Sequence, residues 1–175
     1  MTALDKDKAY TLVKAEAEPR FIFREYDIGV NADGVYFPDG TAFKGASLSK
    51  HLQGCKKCAV LAATLGHGID RTIRRLQFTG MASAFVYDAY ANAFIEEICD
   101  GAQKEIAKNA AEKGFVITKR YSPGYGDFAL DNQAALLRLT NAGAVTGISL
   151  TADNLLIPQK SVTAVIGYKN TEGQG

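Results

Sequence analysis

The sequence predicts an α+β fold with one long helix and several shorter ones. Three observations carry this. Strand-like and helix-like segments are mixed without the regular alternation of a doubly wound parallel sheet. Cys58 to Leu65 is an almost continuous apolar run with no helical period, as in a strand buried on both faces. Ala82 to Glu112 reads as one uninterrupted helix ended by Gly114.

The elements follow in order. Residues 1–20 alternate Lys, Asp and Glu with small residues and predict a loosely held arm or short helix, leaving residues 21–175 as a single domain. Phe21 to Ile28 has strand composition, Asn31 to Gly34 is a turn, and Val35 to Phe37 is a short strand closed at Pro38-Asp-Gly40. Ser47 is the expected N-cap of a short helix through His51 that Gly54 ends. After the Cys58 strand, Asp70 stands at or near the cap of a helix over Arg71 to Gln77. Along the long helix, Phe85, Ala89, Ala93, Ile95, Ile98, Ala102 and Ile106 form an apolar stripe, and Glu96, Glu97 and Asp100 precede Lys104, Lys108 and Lys113. Phe115 to Thr118 is a strand, Tyr121 to Phe128 a Pro/Gly loop, and Asp131 caps a helix through about Leu139. Val145 to Leu150 and Ser161 to Tyr168 are the last expected strands.

Composition excludes several classes. The 175 residues are 47% hydrophobic and 22% charged, ordinary for a globular domain able to bury a core without disulfides. A net charge of +1 gives no basic excess for a polyanion, so no nucleic-acid partner is expected. No apolar run approaches the roughly 20 residues that span a bilayer, so no membrane role is expected. Three cysteines and no signal-peptide pattern point to a cytoplasmic location. Cys55-Lys-Lys-Cys58 has metal-ligand spacing, but a closed zinc site needs four ligands and no second pair occurs; the expectation is no metal and a buried strand-entrance pair.

The most informative stretch is Arg120-Tyr121-Ser122-Pro123-Gly124-Tyr125-Gly126. The two glycines allow close backbone approach, Pro123 stiffens the loop, Arg120 presents a fork for a carboxylate or phosphate, and the tyrosines offer flat faces. A loop so built fits a ligand with one anionic and one aromatic end; the alternative is a rigid surface turn with Arg120 solvated. The same stretch matches Gly-x-Gly-x-x-Ala, but the dinucleotide fingerprint needs a tight strand-to-helix turn in a larger parallel sheet, which this pattern lacks. Asp88, among Tyr87, Ala89, Tyr90 and Ala91, needs a partner. The cluster Asp70 to Arg75 reads as a solvated helix face, and no nucleophile–base constellation is evident, so no catalytic residue is assigned.

Four segments in order resemble the activation (reactivation) domain family of cobalamin-dependent methionine synthase. They are Arg120 to Gly126, the long-helix Asp88 to Glu96, Gly147-Ile-Ser-Leu-Thr151, and Pro158 with Ser161-Val162. The N-terminal part, with Leu52-x-Gly-Cys55 and Ala62 to Gly66, is similar to small stand-alone members of that family. The resemblance implies a twisted antiparallel sheet and a module that binds S-adenosylmethionine. Arg120 would meet the ligand's polar end, Gly124, Tyr125 and Gly126 would hold the nucleoside, Tyr121, Ser122 and Pro123 would act mainly through backbone, and Asp88 and Asn92 would come from the helix.

It further implies a role in methionine biosynthesis: reductive methylation of cobalamin carried on a separate corrinoid or methionine synthase chain, with a flavodoxin-type electron donor. The protein would then be a methyltransferase component without catalytic residues of its own. A partner that assembles with the corrinoid protein without binding the ligand is the alternative. The sequence departs from the family pattern in three places: Asn92 replaces an acid, Asp127-Phe128 replaces Pro and a small residue, and a Tyr-rich segment that closes over the ligand is represented at most by Tyr168.

Overall fold

The computed structural model describes residues 6–171. Helix α1 (Lys6–Glu16) precedes strand β1 (Arg20–Asp27). Three short strands follow, β2 (Gly29–Asn31), β3 (Gly34–Tyr36) and β4 (Ala42–Lys44), then α2 (Ala46–His51), β5 (Lys57–Thr64), α3 (His67–Thr79), α4 (Met81–Glu112) and β6 (Phe115–Ile117). Beyond the Pro/Gly loop come a 3-10 turn (Leu130–Asn132), α5 (Gln133–Thr140), α6 (Ala142–Thr146), β7 (Ser149–Leu150), β8 (Leu156–Ile157) and β9 (Ser161–Asn170).

The main sheet is antiparallel in the order β1-β5-β9-β6, and the fold is α+β as expected. Strand β5 is central, and its period of two divides the core. Ala59 and Leu61 pack toward Ala102, Ile106 and Ala110 of α4, while Cys58 and Val60 pack toward Leu52, Phe128 and Leu136 on the opposite side. The sheet therefore lies between a layer of α1, α3 and α4 and a layer of α2, β2–β4, α5 and α6. Burying a side chain such as Leu61 fully contributes about 1.5–3 kcal/mol, so the central strand anchors both layers.

Several expectations change. Within the expected loose arm, α1 is a docked helix: Ala9 and Val13 are fully buried, and Tyr10 meets Tyr90 of α4 at 5.9 Å between ring centroids. Residues 1–5 of that arm lie outside the described residues. Helix α3 begins four residues before Arg71, so Asp70 is inside it; its carboxylate accepts the backbone N–H of Gln159 at 2.9 Å instead of capping. On α4 the buried line runs through Ala84, Tyr87, Ala91, Phe94 and Cys99 before joining the predicted Ala102 and Ile106. Phe85, Ala89 and Ala93 face outward, because Tyr87, a residue with a polar tip, takes the core position. Asp131 lies in the 3-10 turn and caps nothing; the Asn132 side chain donates to Ala129 O at 3.0 Å instead.

Val145 and Thr146 end a single helical turn bracketed by left-handed Asn141 (φ 56) and Gly147 (φ 75), so the expected strand shrinks to Ser149–Leu150. Tyr168 is a core residue: it is 1% exposed, and its hydroxyl donates to Glu25 Oε1 at 2.9 Å. It is therefore no remnant of a closing segment. No helix among the described residues is long and apolar enough to cross a membrane.

Candidate functional site

The site arises where a sheet edge is left open. Strand β6 pairs with β9 only over Phe115–Ile117 and Lys169 with its neighbours. The chain then holds β9 at two further points: Thr118 N–H donates to Gly167 O at 2.9 Å, and Tyr121 exchanges both backbone bonds with Val165 at 3.0 and 2.9 Å. Beyond Tyr121 the chain turns away. By strand parity, Thr163 and Ser161 then direct their backbone groups to an edge with no strand beside it.

The departing segment is a compact turn built by local bonds. Gly124 N–H donates to Phe128 O at 2.7 Å, Tyr125 N–H to Ser122 O at 3.3 Å and Phe128 N–H to Tyr125 O at 3.0 Å. Gly124 and Gly126 have φ of 98 and 54, in the region that favours glycine. Asp127 and Phe128, the loop residues that stand in place of Pro and a small residue, have structural duties here. Asp127 supplies the cap of α2, its Oδ2 accepting Ala46 N–H at 2.7 Å and its Oδ1 accepting Ser47 N–H at 3.0 Å. Those bonds, Ser47's first, hold the Asp127 carboxyl below its ordinary pKa. Ser47 returns the contact, its Oγ accepting Asp127 N–H at 3.3 Å, so the expected capping residue receives its cap from 80 positions away. Phe128 is 1% exposed and packs edge-on to Phe43 at 5.3 Å.

Across the cleft, one face of α4 presents Asp88, Asn92, Glu96, Asp100 and Gln103 at three- and four-residue spacing. Arg120 reaches to this face. Its Nη1 donates to Asp100 Oδ1 at 2.8 Å and to Gln103 Oε1 at 3.1 Å, and its Nη2 donates to Glu96 Oε2 at 2.8 Å. Burial penalises the Arg120 cation, but the bond to Asp100 and the surrounding negative charges outweigh it and raise the pKa, so the guanidinium stays charged. Two turns earlier, Asp88, 39% exposed at its side chain, has a charged partner: Lys160 Nζ lies 2.8 Å from Asp88 Oδ1. Asn92 bridges them, donating from Nδ2 to Asp88 Oδ2 at 3.2 Å and accepting from Lys160 at 2.7 Å. An acid at position 92 would instead place two like charges one turn apart.

Between these walls lies a cleft of about 630 Å³, a volume typical of small-molecule sites. Arg120, Ser122, Pro123, Gly124 and Tyr125 line it. Tyr121 does not: its ring lies 4.8 Å from His51 and 5.9 Å from Tyr125. Nor does Gly126, where a Cβ would meet Ser47 Oγ at 2.4 Å. Asp88 and Asn92 are held by Lys160 beyond the lining. Tyr125 is 60% exposed and presents its ring at the mouth.

The sequence did not single out Glu96, Asp100, Gln103, Lys119, Gln133 or Thr163 as site residues, yet all line the cleft. The i, i+4 pair Glu96–Asp100 was the available signal. Gln133 is 6% exposed and accepts a hydrogen bond from Thr163 through Oε1. Cys55 and Cys58 are separate from this cleft; both are buried in the core, where loss of solvation pushes each thiol's pKa up. Among the described residues no cluster of three His, Cys, Asp or Glu could hold a metal ion.

Fold and cleft together define a class: an antiparallel α+β domain whose long helix and Pro/Gly loop flank an open strand edge. No protein-family model and no curated protein matches the sequence. Among solved structures, the chain is similar to the crystal structure of the MetH reactivation domain bound to AdoHcy, with a TM-score of 0.66 and 15% identity. The match covers 88% of this chain and 59% of that one. The chain thus has the reactivation-domain fold and spans about three-fifths of that neighbour's length.

Proposed function

We propose that the cleft binds S-adenosylmethionine and that the protein serves as a reactivation module for a corrinoid methyltransferase on a separate chain. The observation that carries this reading is the joint lining of one cleft by Arg120 and the Ser122–Tyr125 turn, in the fold of a domain solved with AdoHcy bound. The residues fit such a ligand. Nε and one Nη2 hydrogen of Arg120 have no partner among the described residues and can take a ligand carboxylate. Tyr125 offers its face to an aromatic or cationic group, and Glu96 and Asp100, 60% and 64% exposed at their side chains, favour a ligand that carries positive charge. Cobalamin on the partner would supply the metal that accepts the electron and the methyl group; this chain would position the methyl donor and exclude water around it.

The hold of Glu96, Asp100 and Gln103 on Arg120 favours a second reading, an assembly partner of the corrinoid protein that binds no ligand. The unpaired donors of Arg120 favour the first, because a ligand carboxylate can take Nε and the remaining Nη2 hydrogen without breaking the bonds to Glu96, Asp100 and Gln103. The test is reactivation in trans. An oxidised corrinoid methyltransferase lacking its own reactivation domain is mixed with this protein, S-adenosylmethionine and reduced flavodoxin. The proposal expects AdoHcy to form in proportion to corrinoid. AdoHcy formation equal to that without this protein would contradict it.

A further inference from the structure

We infer that Gln133 is the base-reading residue of the cleft, donating from its amide Nε2 to a ring nitrogen of a bound purine; this rests on the S-adenosyl reading of the same cleft. Gln133 opens α5 and is more than nine-tenths buried, yet its side chain lines the cleft. In this arrangement Thr163 Oγ1 donates to Gln133 Oε1, which leaves the Nε2 end of the amide for the cleft. The Nε2 group then has no hydrogen-bond partner among the described residues and is not sealed in the core. An occupant that displaces water from this donor must supply an acceptor in its place, or the donor is left unpaired at a cost in free energy.

The surroundings select the kind of acceptor. Leu156, whose side chain packs on the same side of the sheet as α5 and α6, adds apolar surface to the cleft there, which suits a flat heteroaromatic ring better than a carboxylate. The ligand's charged end already has Arg120, Glu96 and Asp100 on the opposite wall. The open edge of β9 at Thr163 offers a backbone N–H and C=O beside the amide, a donor and an acceptor that the edge of a purine complements. Discrimination follows from the geometry: a ring with CH in place of the read nitrogen leaves the Gln133 donor unpaired.

The experiment is calorimetry of wild type, Gln133→Leu and the near-isosteric Gln133→Glu with S-adenosylhomocysteine and its 1-deaza, 3-deaza and 7-deaza analogues. Circular dichroism establishes that each variant is folded. Wild type should bind one of the three analogues roughly ten-fold more weakly than the parent, the loss of one hydrogen bond to a buried group. Both variants should bind the parent about as weakly and no longer distinguish that analogue from it. Variants that bind the parent as wild type does, or that keep wild type's discrimination, would overturn the role of Gln133 while leaving the ligand reading intact. Wild type that binds none of the four compounds would overturn both.

Discussion

Gly126→Ala separates a glycine kept for a ligand from one kept for the fold. The sequence assigns Gly126 to ligand approach, but the structure places it against α2. A Cβ there would lie 2.4 Å from Ser47 Oγ, 2.7 Å from Ser47 Cβ and 2.9 Å from the Tyr121 hydroxyl. The residue also has a φ of 54. The left-handed backbone costs an alanine about 1–2 kcal/mol, and the overpacking adds about 1–3 kcal/mol. The expected destabilisation is therefore about 2–5 kcal/mol.

Gly124→Ala is the control, because its φ of 98 is also left-handed but its nearest foreign atom, Leu130 Cδ2, is 3.7 Å away. It should carry the backbone cost alone, about 1–2 kcal/mol. Urea unfolding followed by circular dichroism measures both. Adding Ser47→Gly to Gly126→Ala removes two of the close contacts and should recover about 0.5–3 kcal/mol of coupling energy in a double-mutant cycle. Equal costs at positions 124 and 126, with no coupling to Ser47, would refute the argument that Gly126 is fixed by α2.

Two further outcomes follow. Tyr168→Phe removes the hydroxyl bonded to Glu25 and should cost about 1.5–3 kcal/mol at pH 7. Burial raises the pKa of Glu25, but the bonds from Lys113 and Tyr168 outweigh it and hold it below the ordinary value, so this stability is present above the unfolded carboxylate pKa and is lost as pH falls through the lower folded one. The gap between wild type and Tyr168→Phe in urea unfolding should shrink below about pH 4; a constant gap down to pH 3 would contradict the role of Glu25. Arg120→Ala should weaken S-adenosylmethionine binding by about 1.5–3 kcal/mol by calorimetry, and unchanged affinity would remove Arg120 from the ligand.

What the sequence revealed follows from what is local. Strand β5 was legible because the almost continuous apolar run from Cys58 leaves no helical period, and seven of its eight residues are buried. Helix α4 was legible in extent, since nothing between Gly80 and Gly114 interrupts it except Gly101, but not in phase, because Tyr87 and Phe85 competed for the core. The loop was legible through its Pro and Gly. Its tertiary use was not: Asp127 caps a helix 80 residues away, and Arg120 finds acids 20 and 24 residues away. Strands β2, β4 and β8, of two or three residues each, are defined by their pairing partners and have no periodicity of their own to read. Gln133 escaped notice for the same reason: only folding places a polar residue at 6% exposure against an open strand edge.

Titration of S-adenosylmethionine into the folded wild-type protein tests the central claim most directly. The account predicts saturable heat with one ligand per chain, and competition by S-adenosylhomocysteine for the same site. No heat at millimolar ligand, from a protein whose circular dichroism shows it folded, would contradict it.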